Sequence, residues 1–302
     1  MLEDLESGRE IAHACDRLLD IAEARRVLPT PVDRLVAAAE LTEPEQSALS
    51  PNAISRLPKH LREVVDRLGR KVHAVLDRRE KEVHLNPQID HAGQAAFKRL
   101  HEVIHSALPW QDDLAYADDR LTLSPAVKQL QEQEANQGAA ELLFQREFFR
   151  EVASDYRIEF ATVVELHNLF GSSIHAAFRR YAESHRGTVA GVVLEADPCQ
   201  REPLTFRRRE AVCSSGWRER FEDPRTWPLR LEQGTFGFVE QAQAVSGHSA
   251  ATGSWSWPNL NSEPVGLGVE AFHNHYHTFV LIWKPQREVF KRRRRVIVPE
   301  AA

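Results

Sequence analysis

The chain has 302 residues, 42% of them hydrophobic, and a formal net charge of −5 at pH 7. That length accommodates two or three domains with their own cores, and the acidic balance disfavours direct binding of nucleic acid, because phosphate recognition needs a basic field. Three cysteines without a CxxC pairing exclude a disulfide framework and a cysteine zinc cage. The longest strongly apolar run near the C-terminus, TFVLIW, falls far short of the ~20 residues a membrane span requires. A cytoplasmic protein with reduced thiols and no membrane partner is expected.

In chain order, Leu5, Ile11, Ala12, Cys15, Leu18, Leu19 and Ala22 recur at near-helical spacing and predict an amphipathic helix over 3–26. After a break at LPTP, Pro31 suits a first helical position, and Val32, Leu35, Val36 and Ala39 form the inner side of a short second helix. A further helix is predicted near 58–69. The period then changes to two, with Val72, Ala74 and Leu76 before DRREK and Val83 and Leu85 after it, which predicts a β-hairpin. From Gln94 the apolar residues Phe97, Leu100, Ile104, Ala107 and Leu108 return to helical spacing. Ser124-Pro125 reads as a cap and first residue of a long helix running to about Phe149. EFATVVELHNLF, Gly171, Ser172-Ser173 and IHAAFRRYAESH read as two short helices joined by a tight turn. Beyond residue 187 strands, Gly, Pro and five of the six tryptophans dominate. The expectation is an α+β chain in three parts: a mainly helical domain with a small β-sheet over 1–150, a helix-turn-helix-like segment over 151–187, and a β-rich sensor or docking domain over 188–302.

The string HEVIH, residues 101–105, lies on the helix that follows the hairpin. Residues four apart on a helix stand one above the other, so His101 and His105 present two imidazoles to one metal ion, with Glu102 beside that face as the candidate general base. Composition alone predicts about 0.06 chance matches to such a string in this chain. The bland counterpart is a surface helix with two solvated histidines. A catalytic zinc site wants a third protein ligand, and the next long helix carries EQEANQGAAELLF. Glu132 shares a stripe with Asn136, Ala139 and Leu143 and is the preferred ligand; Glu134 reads as solvated, although spacing alone allows either.

The order LPTPVDRLVAAAEL, a hairpin ending in Asn86, FKRLHEVIH and EQEANQGAAELLF resembles the ImmA/IrrE family of bacterial metallo-endopeptidases. The family pattern has an early Pro-Pro-Val-like segment, a Phe four residues before its HExxH, here Phe97, and an E-x-x-A-N-x-x-A-A-like helix. The resemblance covers roughly residues 25–185 and implies a zincin-like peptidase domain with His101, His105 and Glu132 as ligands. The family's usual Gly before the second histidine is Ile104 here, and its usual Met-Pro after Ala-Ala-x-Leu-Leu is Phe144-Gln145.

Zinc, with manganese as the alternative ion, is the cofactor this implies, and Glu102 would move the proton of the attacking water to the leaving amine. Tyr116 is a candidate oxyanion donor, with simple packing as its counterpart; Asn136 is a candidate outer partner of the ligands, or a helix-face residue bonded to backbone. The strand EVHLN offers an edge for an extended peptide, or is a plain sheet edge. The resemblance further implies that the cleaved partner is a helix-turn-helix repressor of the Xre type. The alternative is a non-proteolytic transcription regulator or toxin-like interaction protein with a vestigial HExxH. Arg179 and Arg180 on the second helix of the pair suggest DNA contact, with packing the favoured reading. His273, His275 and His277 would share one face if FHNHYHTFV is a strand, a solvated face being expected over a metal site. KRRRR at 291–295 reads as a solvated tail, and the GSWSWP tryptophans as core or edge packing.

Overall fold

The computed structural model describes residues 5–55, 73–111 apart from 90, 125–196, and 205–285 apart from 233, 235, 246 and 248. The helix predicted near 58–69, Val72, Tyr116, Ser124, Cys199 and the basic run 291–295 lie outside these residues. The class is α+β, as expected: helices with a two-stranded hairpin come first, and a six-stranded antiparallel sheet follows. The chain divides into two compact units, residues 1–148 with 168–173, and residues 149–167 with 174–302.

In the first unit, α1 (Gly8–Ile21) buries Ile11, Cys15, Leu18 and Leu19, the stripe the sequence predicts. It ends sooner than expected. Glu23 and Arg26 take positive φ, and the Arg25 guanidinium folds back onto Asp16 and Asp20, closing the last turn. Next come α2 (Val32–Ala38), which buries Leu35 and Val36, and α3 (Pro51–Ser55). The hairpin is β1 (Ala74–Asp77) with β2 (Glu82–Leu85), antiparallel, with Leu76 opposite Val83.

The helix bearing the histidines is α4 (Ala92–Ala107), and α5 (Pro125–Leu143) is its most extensive neighbour; α2 and both hairpin strands also touch α4. The close approach of α4 to α5 has a specific cause. Ile104, fully buried, occupies the space beside Gly138, where an added Cβ would stand 2.8 Å from the Ile104 side chain. The bulky residue before the second histidine is thus matched by a missing side chain on the opposing helix.

The long helix expected to reach Phe149 instead stops at Leu143, and α6 (Glu147–Ala153) begins after a break in which Gln145 and Arg146 have positive φ. Gln145 is 5% exposed; its Oε1 accepts from Arg26 N–H, and its Nε2 donates to the Val27 carbonyl (2.7 Å) and Thr30 Oγ1 (3.1 Å). A buried amide must find such partners, and the loop at 26–30 draws it off the helix axis.

In the second unit, β3 (Val189–Ala196), β4 (Thr205–Cys213), β5 (Arg230–Glu232), β6 (Ala251–Pro258), β7 (Pro264–His273) and β8 (Thr278–Trp283) form one sheet in the order β5-β4-β3-β8-β7-β6. Alternation along the strands separates two faces. On one, Phe160 of α7 (Phe160–Phe170) stacks on Phe272 with centroids 4.5 Å apart, and Phe178 of α8 (Ile174–Ser184) meets Phe279 at 5.3 Å above Gly191. On the other, Ala190, Val192, Val280 and Ile282 pack with Trp217, Phe221 and Val239, carried by α9 (Ser215–Arg218) and α10 (Gly237–Ala244) and the loop between them. Trp255 and Trp257 of the edge strand join this cluster through Trp227, with centroids 4.6–5.6 Å apart.

The helix pair read for its helix-turn-helix rhythm is therefore one covering layer of this sheet. Arg179 pairs with Glu183 (3.1 Å) and Glu210 (3.2 Å). The three histidines do not share a strand face. β7 ends at His273, whose Nδ1 meets Thr278 Oγ1 (3.0 Å), and the chain turns through His275 at φ 72. A residue in left-handed backbone cannot keep the two-residue alternation. Among the described residues no helix is long and apolar enough to cross a membrane.

The Ile104–Gly138 contact is testable. Gly138→Ala gains about 1 kcal/mol of helix propensity, but its methyl meets carbons of a fully buried Ile104 that has no solvent to swing into, an overpacking cost of roughly 1–3 kcal/mol. The expected outcome is a lower urea midpoint with an unchanged slope.

Candidate metal centre

The α4 spacing places His101 and His105 with ring centroids 4.7 Å apart in an edge arrangement and their Nε2 atoms 3.1 Å apart. Glu132 comes from the first half of α5. One of its oxygens lies 3.3 Å from His101 Nε2 and the other 3.6 Å from His105 Nε2. Among the described residues, these three are the group whose donor atoms cluster tightly enough to hold a metal ion, all within 4.8 Å of one another. Four-coordinate zinc with bonds of about 2.0–2.1 Å spaces its ligand atoms by roughly 3.3 Å, so the observed edges fit such an ion.

Burial separates the components. His101 is 4% exposed and Glu102 7%, whereas the Glu132 side chain is 61% exposed, so the cluster opens to solvent on the α5 side. Burial pushes the Glu102 carboxyl up, against the pull of His101 and His105. Hydrogen bonding to His101 and then to His105 holds the Glu132 carboxyl well below the usual carboxylate range. Burial draws the His105 ring down, but its hydrogen bonds to Glu132 and Gln111 outweigh this, and the net shift is upward. His101 Nδ1 is buried and has no hydrogen-bond partner among the described residues.

Glu134 is not solvated, contrary to expectation. It is 3% exposed and accepts from Ser7 Oγ, Trp110 Nε1 (3.0 Å) and Gln111 Nε2 (2.7 Å). Two positions on a helix differ by about 200°, which sends Glu132 to the open side and Glu134 into the interior. Gln111, which is fully buried, also meets His105 Nδ1 through its Oε1 at 2.6 Å. No periodicity marks Ser7, Trp110, Gln111 and Glu134 as a set. The one sequence signal is a polar Gln directly after Pro109-Trp110 at the end of an apolar helix. Asn136 is exposed, and Tyr116 lies outside the described residues.

The strand EVHLN is less available to a peptide than its sequence suggests. Val83 N–H donates to the Thr42 carbonyl (2.8 Å), Thr42 N–H to the Lys81 carbonyl (2.9 Å), and Ser47 Oγ–H to the Leu85 carbonyl (2.6 Å). With β1 on its other side, β2 is occupied on both edges. The outer edge of β1 is the one that makes no backbone hydrogen bond among the described residues.

No protein-family model and no curated protein matches the chain. Among solved structures it is similar to a Mycobacterium tuberculosis transcriptional regulator, at 14% identity and a TM-score of 0.49, with 91% of this chain and 75% of that chain covered.

The contrast between the two carboxylates of α5 gives a prediction. Glu132→Ala changes the stability of the metal-free chain by about 1 kcal/mol or less, because the carboxylate removed is 61% exposed even though the imidazoles it meets are largely buried. Glu134→Ala removes the shared acceptor of three donors, one of them the fully buried Gln111 amide, and costs roughly 1–3 kcal/mol. Chemical denaturation of the two variants side by side measures the difference.

Proposed function

We propose that this protein is a zinc-dependent endopeptidase, with manganese as the alternative ion, held by His101, His105 and Glu132. One observation carries the reading: two imidazole nitrogens and a carboxylate, borne on two separate helices, enclose a position with donor spacings of 3.1, 3.3 and 3.6 Å. Zinc bound there supplies Lewis acidity, which polarises a peptide carbonyl and acidifies water.

The chain's own groups do the rest. Glu102 sits on α4 between the two histidines, shielded from bulk solvent. Its carboxylate accepts a proton from the attacking water and delivers it to the departing amine nitrogen. His101 and His105, fixed on a packed helix, orient the reacting end; the exposed Glu132 side leaves an approach for a polypeptide. An extended substrate segment pairs with the outer edge of β1, which among the described residues makes no backbone hydrogen bond and belongs to the hairpin that touches α4. The resemblance of residues 25–185 to the ImmA/IrrE family points to a helix-turn-helix repressor of the Xre type as the substrate, and to release of the genes it silences as the outcome.

Three proteins test this: the wild type, His101→Ala and Glu102→Gln. Each is stripped of metal, titrated with zinc sulfate and incubated with a small helix-turn-helix protein encoded beside this gene. The wild type takes up about one equivalent of zinc, and His101→Ala loses it. Glu102→Gln retains the ion while cleavage falls by roughly 10²–10⁴-fold. Undiminished cleavage by Glu102→Gln, or a wild type that binds no zinc, overturns the proposal.

A further inference from the structure

We infer that Gln111 and Glu134 are positioning residues that fix the tautomer of His105, so that its Nε2 presents a lone pair, not a hydrogen, to the metal position. The inference rests on the endopeptidase reading only for its purpose; the hydrogen-bond chain stands by itself.

The chain can be read from its far end. The Trp110 indole can only donate, and it donates to Glu134 Oε2 (3.0 Å), so that oxygen is an acceptor. Gln111 places one end of its amide 2.7 Å from the same Oε2 and 3.5 Å from the Gln131 carbonyl oxygen. Both neighbours accept, so this end of the amide is its NH₂ group. The other end is then the carbonyl oxygen, and it lies 2.6 Å from His105 Nδ1. An oxygen acceptor at that distance requires Nδ1–H. A neutral imidazole carries one ring hydrogen, so Nε2 is bare and faces His101 Nε2 (3.1 Å) and Glu132 (3.6 Å).

Burial makes the chain decisive. Gln111 is fully buried and Glu134 3% exposed, so water does not offer either an easy alternative partner. Rotating the amide would let it donate to His105 Nδ1 only by setting its carbonyl oxygen against the Glu134 carboxylate and the Gln131 carbonyl, two acceptors in the interior, so the Glu134 end decides the orientation. Ser7, just before α1, adds a donor to Oε1 and thereby holds the carboxylate plane. His101 has no such device, since its Nδ1 has no partner among the described residues. The second histidine is therefore the one set in advance, with Glu134 doing through Gln111 what an outer carboxylate does for a metal-bound imidazole.

A buried carboxylate of this kind also ties helices together, so the test needs a readout that packing alone would not move. In the metal-free full chain, ¹⁵N-resolved NMR of the histidine rings, on the alkaline side of their titration, reports which nitrogen carries hydrogen. Wild-type His105 is expected as the Nδ1–H form, with the Nε2–H form growing in Gln111→Leu. Zinc titration of the same samples is expected to show a 10–100-fold higher Kd for Gln111→Leu, and a smaller rise for Glu134→Gln, which keeps the shape and loses the acceptor-only character. Circular dichroism selects the variant that keeps its fold, and the wild-type spectrum requires no variant. A wild-type His105 in the Nε2–H form overturns the inference; so does Gln111→Leu with unchanged tautomer and zinc affinity. A wild type that binds no zinc but shows Nδ1–H overturns the endopeptidase reading and supports the hydrogen-bond chain.

Discussion

Ile104 packed into the space left by Gly138 sets the distance between α4 and α5, and the donor cluster inherits that distance. His105 directly follows Ile104, and Glu132 precedes Gly138 by under two helical turns, so ligands and contact ride on the same two rigid elements. Cys15 of α1 approaches Gly138 as well, its thiol 3.5 Å from the carbonyl oxygen. The middle of α5 is thereby held from two sides. Dense packing transmits small displacements, and metal ligands tolerate only a few tenths of an ångström. The apolar contact keeps the two helices close enough for Glu132 to pair with both imidazoles, which is the arrangement the proposed metal site needs.

The same unit buries several polar groups, and two of them join segments remote in sequence. Glu134 gathers donors from Ser7, Trp110 and Gln111; Gln145 gathers the backbone at 26–27 and the Thr30 hydroxyl. Leaving any of them unpaired costs more than the bond returns, so these clusters select one arrangement of the helices over others that would bury similar apolar area. They also account for where the helices stop. α5 ends at Leu143, just before Phe144-Gln145, and the Gln145 amide tied to the loop at 26–30 is the local reason.

What was legible in the sequence followed periodicity. The α1 stripe, the hairpin with Leu76 facing Val83, the helix carrying His101 and His105, and the two helices around Gly171 all have a repeat that one face of packing enforces. The meeting of Glu132 with both imidazoles was indicated by helical stripes and by resemblance. What was not legible depends on contacts between distant segments. Glu134 read as solvated because its partners lie 23, 24 and 127 positions away. The early end of α5 depends on a loop more than a hundred residues earlier, and the three closely spaced histidines looked like a strand because nothing in their spacing announces the turn at His275. The helix-turn-helix rhythm of α7 and α8 was real, but rhythm does not say what a helix pair covers. The Phe160–Phe272 and Phe178–Phe279 contacts do.

Three glutamates within 33 positions illustrate how environment assigns work to one chemical group. Glu102 is buried beside two imidazoles, where removal from water raises the cost of its charge, as the proton transfer proposed for it requires. Glu132 stands in the open with its charge favoured by the same two rings, which suits the ligand role proposed for it. Glu134 is as buried as Glu102 yet faces three donors, and its oxygens are fully engaged in orienting them. Exchanging the positions of any two would fail for a specific reason: a proton carrier cannot work with every lone pair occupied, and an orienting carboxylate in solvent loses its hold to water. The helix turn decides among them, since Glu102 lies one residue after His101 and three before His105, beside both rings, and two steps along α5 separate the exposed Glu132 from the buried Glu134.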